Sequence, residues 1–290
     1  MLTNRKTRAI LMILSAALCF SLMNSFVRLS GDLPSIQKSF FRNAIAFLFA
    51  LAVLIRQGKG VHIRKSDLPL LLVRSAFGTV GILGNFYAVD HLVLSDASML
   101  NKLSPFFAII FSFFFLKERA KPVQIAALVT AFMGALCIIK PSFDLSEFFP
   151  CLIGTLGGLG AGAAYTAVRA LGGRGVNGSL IVLFFSAFSC LCVTPWMVLD
   201  YHPMTLTQLL CLLCAGLAAA GGQFSITAAY SLAPAKEISI YDYSQVIFSA
   251  ILGFFVFGQI PDGLSVLGYF IICGASVGMF LWNRKQDQAA

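Results

Sequence analysis

Val27-Arg28-Leu29-Ser30-Gly31, closing the first long apolar run, returns as Val168-Arg169-Ala170-Leu171-Gly172 at the close of another, 141 residues on. Phe113-Phe114 recurs as Phe254-Phe255 at the same offset, and Gly134-Ala135 as Gly274-Ala275 at 140. Each match is short, but they keep one order and nearly one spacing, which predicts an internal duplication with halves 1–141 and 142–290.

Between them the chain is almost entirely apolar. Of 290 residues, 58% are hydrophobic and 11% charged, beyond the balance of a soluble domain. Apolar runs fall near 8–28, 35–56, 69–89, 93–116, 122–140, 148–171, 178–199, 206–230, 234–257 and 262–283, each about the length that crosses a bilayer. The fold class expected is therefore all-α integral membrane, ten transmembrane helices as two inverted five-helix repeats. Five is an odd number, so the second repeat enters the membrane with the opposite orientation. Short connections make successive helices antiparallel neighbours. The first run is long enough to span and has no evident cleavage site after it, so it reads as a retained helix.

The net charge of +9 is topological in this setting rather than a nucleic-acid signal. Arg5, Lys6, Arg8, Arg56, Lys59, Arg64, Lys65, Lys117, Arg119, Lys121, Arg169, Arg174, Lys236, Arg284 and Lys285 fall on one side of the predicted bundle, with Lys140 on the other and Arg28 at its edge. That asymmetry predicts a multi-pass plasma-membrane protein with both termini cytoplasmic.

The eight cysteines lie mostly inside apolar runs, without the spacing of a disulfide framework or zinc site, and Cys211-Leu212-Leu213-Cys214 reads as packing. No Walker loop, HExxH or GxSxG is present, and His62, His91 and His202 all sit near loops. The sequence thus predicts no catalytic residues, no metal and no cofactor.

Charges inside spans are expensive and mark interiors or aqueous cavities. Arg42, Lys102 and Asp242 read as deep. Lys38, Arg74, Asp96 and Glu237 read as near enough to helix ends to reach water. Two deep cations against one acid leave a positive excess, which a substrate carboxylate or phosphate would neutralise. The competing structural reading has Arg42 or Lys102 paired with Asp242 as a staple between helices. The polar and aromatic residues Asn24, Asn85, Tyr87, Tyr165, Gln223, Tyr241, Asp242 and Gln245 complete the candidate substrate site with Arg42 and Lys102, and Tyr241–Gln245 is too polar to face lipid. Pro105 predicts a kink in the fourth span and a gate hinge, with Val246 at the corresponding place in the second half. Gly154, Gly158 and Gly162, and Gly78, Gly81 and Gly84, form stripes for close helix packing.

Phe40-Phe41-Arg42, Leu103-Ser104-Pro105-Phe106 through Lys117-Glu118, and Ser244 through Gln259 give the chain a resemblance, over nearly its whole length, to the drug/metabolite transporter superfamily, EamA-type. The resemblance implies a secondary transporter whose first four helices in each half line a central cavity, with the fifth and tenth outside. Gly258-Gln259 departs from the Gly-Glu common in the family, leaving Glu118 without a counterpart. The first span lacks the acid that related small multidrug transporters use for proton exchange. The expected cargo is a small anionic or zwitterionic metabolite of amino-acid or organic-acid type. The alternative is a cationic or nucleoside-like metabolite such as S-adenosylmethionine, held at Asp242. Expected partners are that small molecule and the lipid bilayer, in a monomer or homodimer.

Overall fold

The computed structural model describes residues 2–58, 63–91, 100–139, 148–258 and 260–289. Lys59, His62, Asp96, Lys140 and Gln259 lie outside them. The regular structure of the described residues is helical, without strands: α1 Leu2–Leu29, α2 Ser35–Arg56, α3 Leu68–His91, α4 Ser104–Leu116, α5 Pro122–Ile139, α6 Phe148–Gly173, α7 Gly178–Leu199, α8 Leu206–Leu232, α9 Ser244–Phe257 and α10 Gly263–Ala289. Among the described residues eight spans are long and apolar enough to cross a membrane, with α4 and α5 as shorter apolar helices. Phe114, Phe115, Leu199, Phe255 and Phe270 are all more than two-thirds exposed. Such a surface is stable only against lipid, so the chain is a multi-pass membrane protein.

Helix boundaries are set by local chemistry. The Asn177 side chain accepts from Ser179 N at the start of α7, and Thr205 with Gln208 forms a reciprocal cap at the start of α8. At their far ends α4 and α9 stop in the same way, on left-handed residues: Lys117 at φ 57° and Gly258 at φ 65°. Glycine takes that conformation freely, whereas Lys117 is the one non-glycine residue among those described to hold it.

The packing pairs helices across the chain more than in succession, so the expectation that successive helices are neighbours is corrected: α1 has little contact with α2, and α6 little with α7. α1 lies on α8 and α3 on α6; α1 also touches α9, and α4 touches α6; α2 meets α7, and α5 meets α10. Small residues let these backbones approach. A Cβ added at Gly84 would sit 2.8 Å from Gly157 Cα, and one at Gly160 would sit 2.7 Å from Phe77 O. The Gly154, Gly158 and Gly162 stripe faces a different neighbour, Leu100 and the start of α4, so α6 carries two glycine faces rather than one. Gly78, grouped with Gly81 and Gly84 by spacing, instead faces the Arg74 guanidinium and the Phe185 ring.

The expected kink at Pro105 is corrected. Pro105 occupies the first turn of α4, where a missing N–H costs nothing, and the interruption falls just before it, at Lys102 and Leu103. The corresponding stretch of the second half is interrupted as well, without proline. A helical turn at Ala235–Ile238 tightens into a 3₁₀ segment at Ser239–Tyr243 before α9 begins.

Candidate functional site

The two interruptions meet in the interior of the protein. Lys102 Nζ, from the first, donates to Asp242 Oδ2 at 3.2 Å, to Asp242 O at 3.3 Å and to Gln245 Oε1 at 2.6 Å. Tyr243 OH donates back to Lys102 O at 2.9 Å. Irregular backbone frees carbonyls that an intact helix would consume, and here they fall to a buried ammonium and a buried phenol. Ser21 of α1 donates to Gln245 O at 3.0 Å, fixing the junction to a third helix. Lys102 and Asp242 are 5% and 7% exposed, so the staple foreseen between Asp242 and one of the two deep cations exists, and Lys102 forms it.

That leaves arginine. Arg42 on α2 is 5% exposed, and its partners are neutral: Nε donates to Met23 Sδ at 3.1 Å and Nη1 to Asn43 Oδ1 at 3.3 Å. Asn43 is itself oriented by donating to Ser189 Oγ at 3.0 Å. Arg74 on α3, expected to reach a helix end, is instead 2% exposed. Its Nη2 donates to Gln223 Oε1 at 3.1 Å, and its guanidinium lies 4.0 Å from the centre of the Phe185 ring. Its Nε has no partner. Among the described residues neither arginine has a carboxylate within ion-pairing distance, although five N–H donors on each could serve one.

Tyr165 on α6 joins these groups. It lies within electrostatic reach of Arg42, Arg74 and Asp242 and stacks on Tyr230 of α8, ring centres 4.7 Å apart and 12° from parallel. Tyr230 OH in turn meets Ser239 Oγ of the 3₁₀ segment at 3.3 Å. Arg42, Lys102, Tyr165, Gln223, Asp242 and Gln245 are therefore the predicted residues that the structure gathers. Tyr241 is buried within the 3₁₀ segment. Asn24 is exposed on α1. Asn85 sits where the α3 backbone meets Gly157, and Tyr87 stacks on His91 at 4.0 Å, near the end of α3. Arg74, Phe185 and Tyr230 were missing from the sequence-derived set. Gly78 is the signal that could have recovered Arg74, since a glycine four residues on along one helix face leaves room for a folded-back guanidinium.

At one end of the bundle the basic residues grouped by sequence come together. Arg169 pairs with Glu118 at 3.0 Å, Arg174 with Asp67 at 3.4 Å and Lys6 with Glu237 at 3.5 Å, while Lys236 donates to Arg119 O at 2.8 Å. A cavity of about 290 Å³ opens there, lined by Arg64, Asp67, Arg174 and Asn177 among others. Its walls are separate from the arginine site.

Residues 7–140 match the model of the EamA-like transporter family. A pseudopaline exporter of Pseudomonas aeruginosa is 34% identical over 93% of this chain and 95% of its own. A riboflavin transporter of Vibrio cholerae is 27% identical over 96% and 94%. Human solute carrier family 35 member G1 is 27% identical over 96% of this chain and 79% of its own. A solved crystal structure with 16% identity superposes at a TM-score of 0.86 over 97% of this chain and 99% of that one, a likeness of fold. The chain belongs to the EamA-like transporter family within the drug/metabolite transporter superfamily, and its role is transport rather than catalysis.

Proposed function

We propose that the chain is a secondary transporter of a small anionic or zwitterionic metabolite, of amino-acid or organic-acid type, working by alternating access in the plasma membrane with both termini cytoplasmic. The observation that carries the substrate class is the pair of buried arginines without an acid partner among the described residues. An unpaired buried cation costs several kcal/mol, and a substrate carboxylate would remove that cost on binding. Asp242 is bound by Lys102, so a cationic cargo meets no free carboxylate among the described deep residues. The relatives themselves are named for unlike cargoes, so family membership does not choose the substrate.

Alternating access rests on an inverted repeat of five helices and five, 1–141 and 142–290. Exchange of the halves supports it: α1 on α8 becomes α6 on α3, and α1 on α9 becomes α6 on α4, while α2 on α7 and α5 on α10 map onto themselves. The interruptions before α4 and α9 and their left-handed ends, 141 residues apart, support the same duplication. Packing through glycine backbones permits sliding without unlocking side chains. The Lys102–Asp242 contact joins the halves and would hold one of the two states.

The test is uptake into proteoliposomes of radiolabelled amino acids, organic acids and cationic metabolites. Carboxylate-bearing compounds are expected to accumulate, and Arg42→Ala to abolish their transport while the protein remains folded. Undiminished transport by Arg42→Ala would sink the proposal.

A further inference from the structure

The two arginines stand at different heights. Gln57 Nε2 donates to Ser179 Oγ at 3.4 Å and Asn177 Nδ2 donates to Gln57 Oε1 at 2.9 Å, just after the end of α2. Arg174 pairs with Asp67 just before the start of α3. The end of α2 and the start of α3 therefore share one face of the bundle. Arg74 is six residues from that face along α3, and Arg42 is fourteen residues from it along α2. At a rise of about 1.5 Å per residue, their backbones are separated by about 12 Å along the bundle. The side chains nevertheless act on each other and on Tyr165. Two like charges held in one low-dielectric interior repel, and one carboxylate placed at either would leave the other unneutralised.

Resting on the anionic-substrate reading above, we infer that the cargo carries two separate anionic groups, one received by Arg42 and the other by Arg74, with Tyr165 beside the path between them. Each station has its own supports. Met23 and Asn43 hold Arg42, while Gln223 and the Phe185 ring hold Arg74. Gly78 contributes by omission, because a Cβ there would collide with the Arg74 guanidinium. The chemical class is a diacid whose carboxylates are held apart by a short spacer, as distinct from a compound with one acidic end.

The experiment uses the full chain in detergent and matched probes: the α,ω-dicarboxylates from glutarate to azelate, and the monomethyl ester of each, which keeps the length and removes one charge. Affinities come from titration calorimetry on wild type, Arg42→Gln and Arg74→Gln. At least one diacid is expected to bind wild type about tenfold or more tightly than its own half-ester, and that ratio is expected to fall to near one in each variant. Both variants should fold at least as stably as wild type without ligand, because each removes an uncompensated charge; Arg74→Lys, which keeps the charge, should retain part of the preference. Equal binding of diacid and half-ester by wild type would overturn the two-station inference and leave the anionic reading standing. A preference that survives in either glutamine variant would overturn it too, by placing the second carboxylate elsewhere. Failure of both diacids and half-esters to bind would overturn the inference, and if cationic metabolites bound instead the anionic reading would fall with it.

Discussion

The first five helices and the last five share their backbone devices and divide the chemistry. Both contain an interrupted helix that restarts at a serine, Ser104 or Ser244, and ends on a left-handed residue, Lys117 or Gly258. The deep cations Arg42, Arg74 and Lys102 all come from the first five; 141 residues on stand Leu183, Ala215 and Tyr243. The last five supply Tyr165, Gln223, Tyr230 and Asp242. Matching backbones are what the proposed alternating access asks of its two halves. Unlike side chains build one site at their junction instead of two copies of it.

The charges carry the largest expected effects. Lys102→Met strands Asp242 in the interior and is expected to destabilise the protein by about 3–5 kcal/mol, read from thermal unfolding in detergent. Arg42→Gln and Arg74→Gln remove charges that have no acid partner among the described residues, so their midpoints should equal or exceed that of wild type. If all three variants lost stability alike, the distinction between a paired cation and two unpaired ones would collapse.

Helix packing offers a smaller contrast. A Cβ added at Gly84 on α3 would sit 2.8 Å from the Gly157 backbone, whereas one added at Gly222 on α8, packed on α1, would sit 2.5 Å from the Phe20 ring. Backbone cannot step aside and a ring can tilt. Gly84→Ala should therefore cost about 1–3 kcal/mol and Gly222→Ala less, compared by their unfolding midpoints. Equal costs would mean that the two interfaces yield in the same way.

The helix ends give the smallest effect and the cleanest exchange. Lys117→Gly should stabilise by about 0.5–1 kcal/mol, and Gly258→Lys should destabilise by a similar amount, because glycine alone holds a left-handed backbone without a Cβ penalty. Thermal shifts of opposite sign are expected; shifts of one sign would show that the side chains, not the backbone, govern these ends.

Much of the fold was legible because a bilayer demands long apolar helices and its exclusion of charge writes topology into Lys and Arg. The interruptions were half-legible. Pro105 and the polar run Tyr241–Gln245 marked both, yet proline alone suggested a kink, and the 3₁₀ segment at Ser239–Tyr243 carries no breaker residue. Arg74 was misread for a physical reason: six residues from a helix start, an arginine can reach water, and only the pocket made by Gly78, Phe185 and Gln223 turns it inward. Which deep cation would take Asp242 was likewise beyond the sequence, since Lys102 reaches it only because two interrupted helices meet.

The most direct measurement is a thermal-shift screen of the purified protein against amino acids, organic acids, nucleosides and cationic metabolites, since a ligand that binds only the folded state raises its apparent stability. Stabilisation by carboxylate-bearing compounds, lost in Arg42→Ala, is the predicted result. Stabilisation by cations alone, lost in Asp242→Asn, would contradict the account.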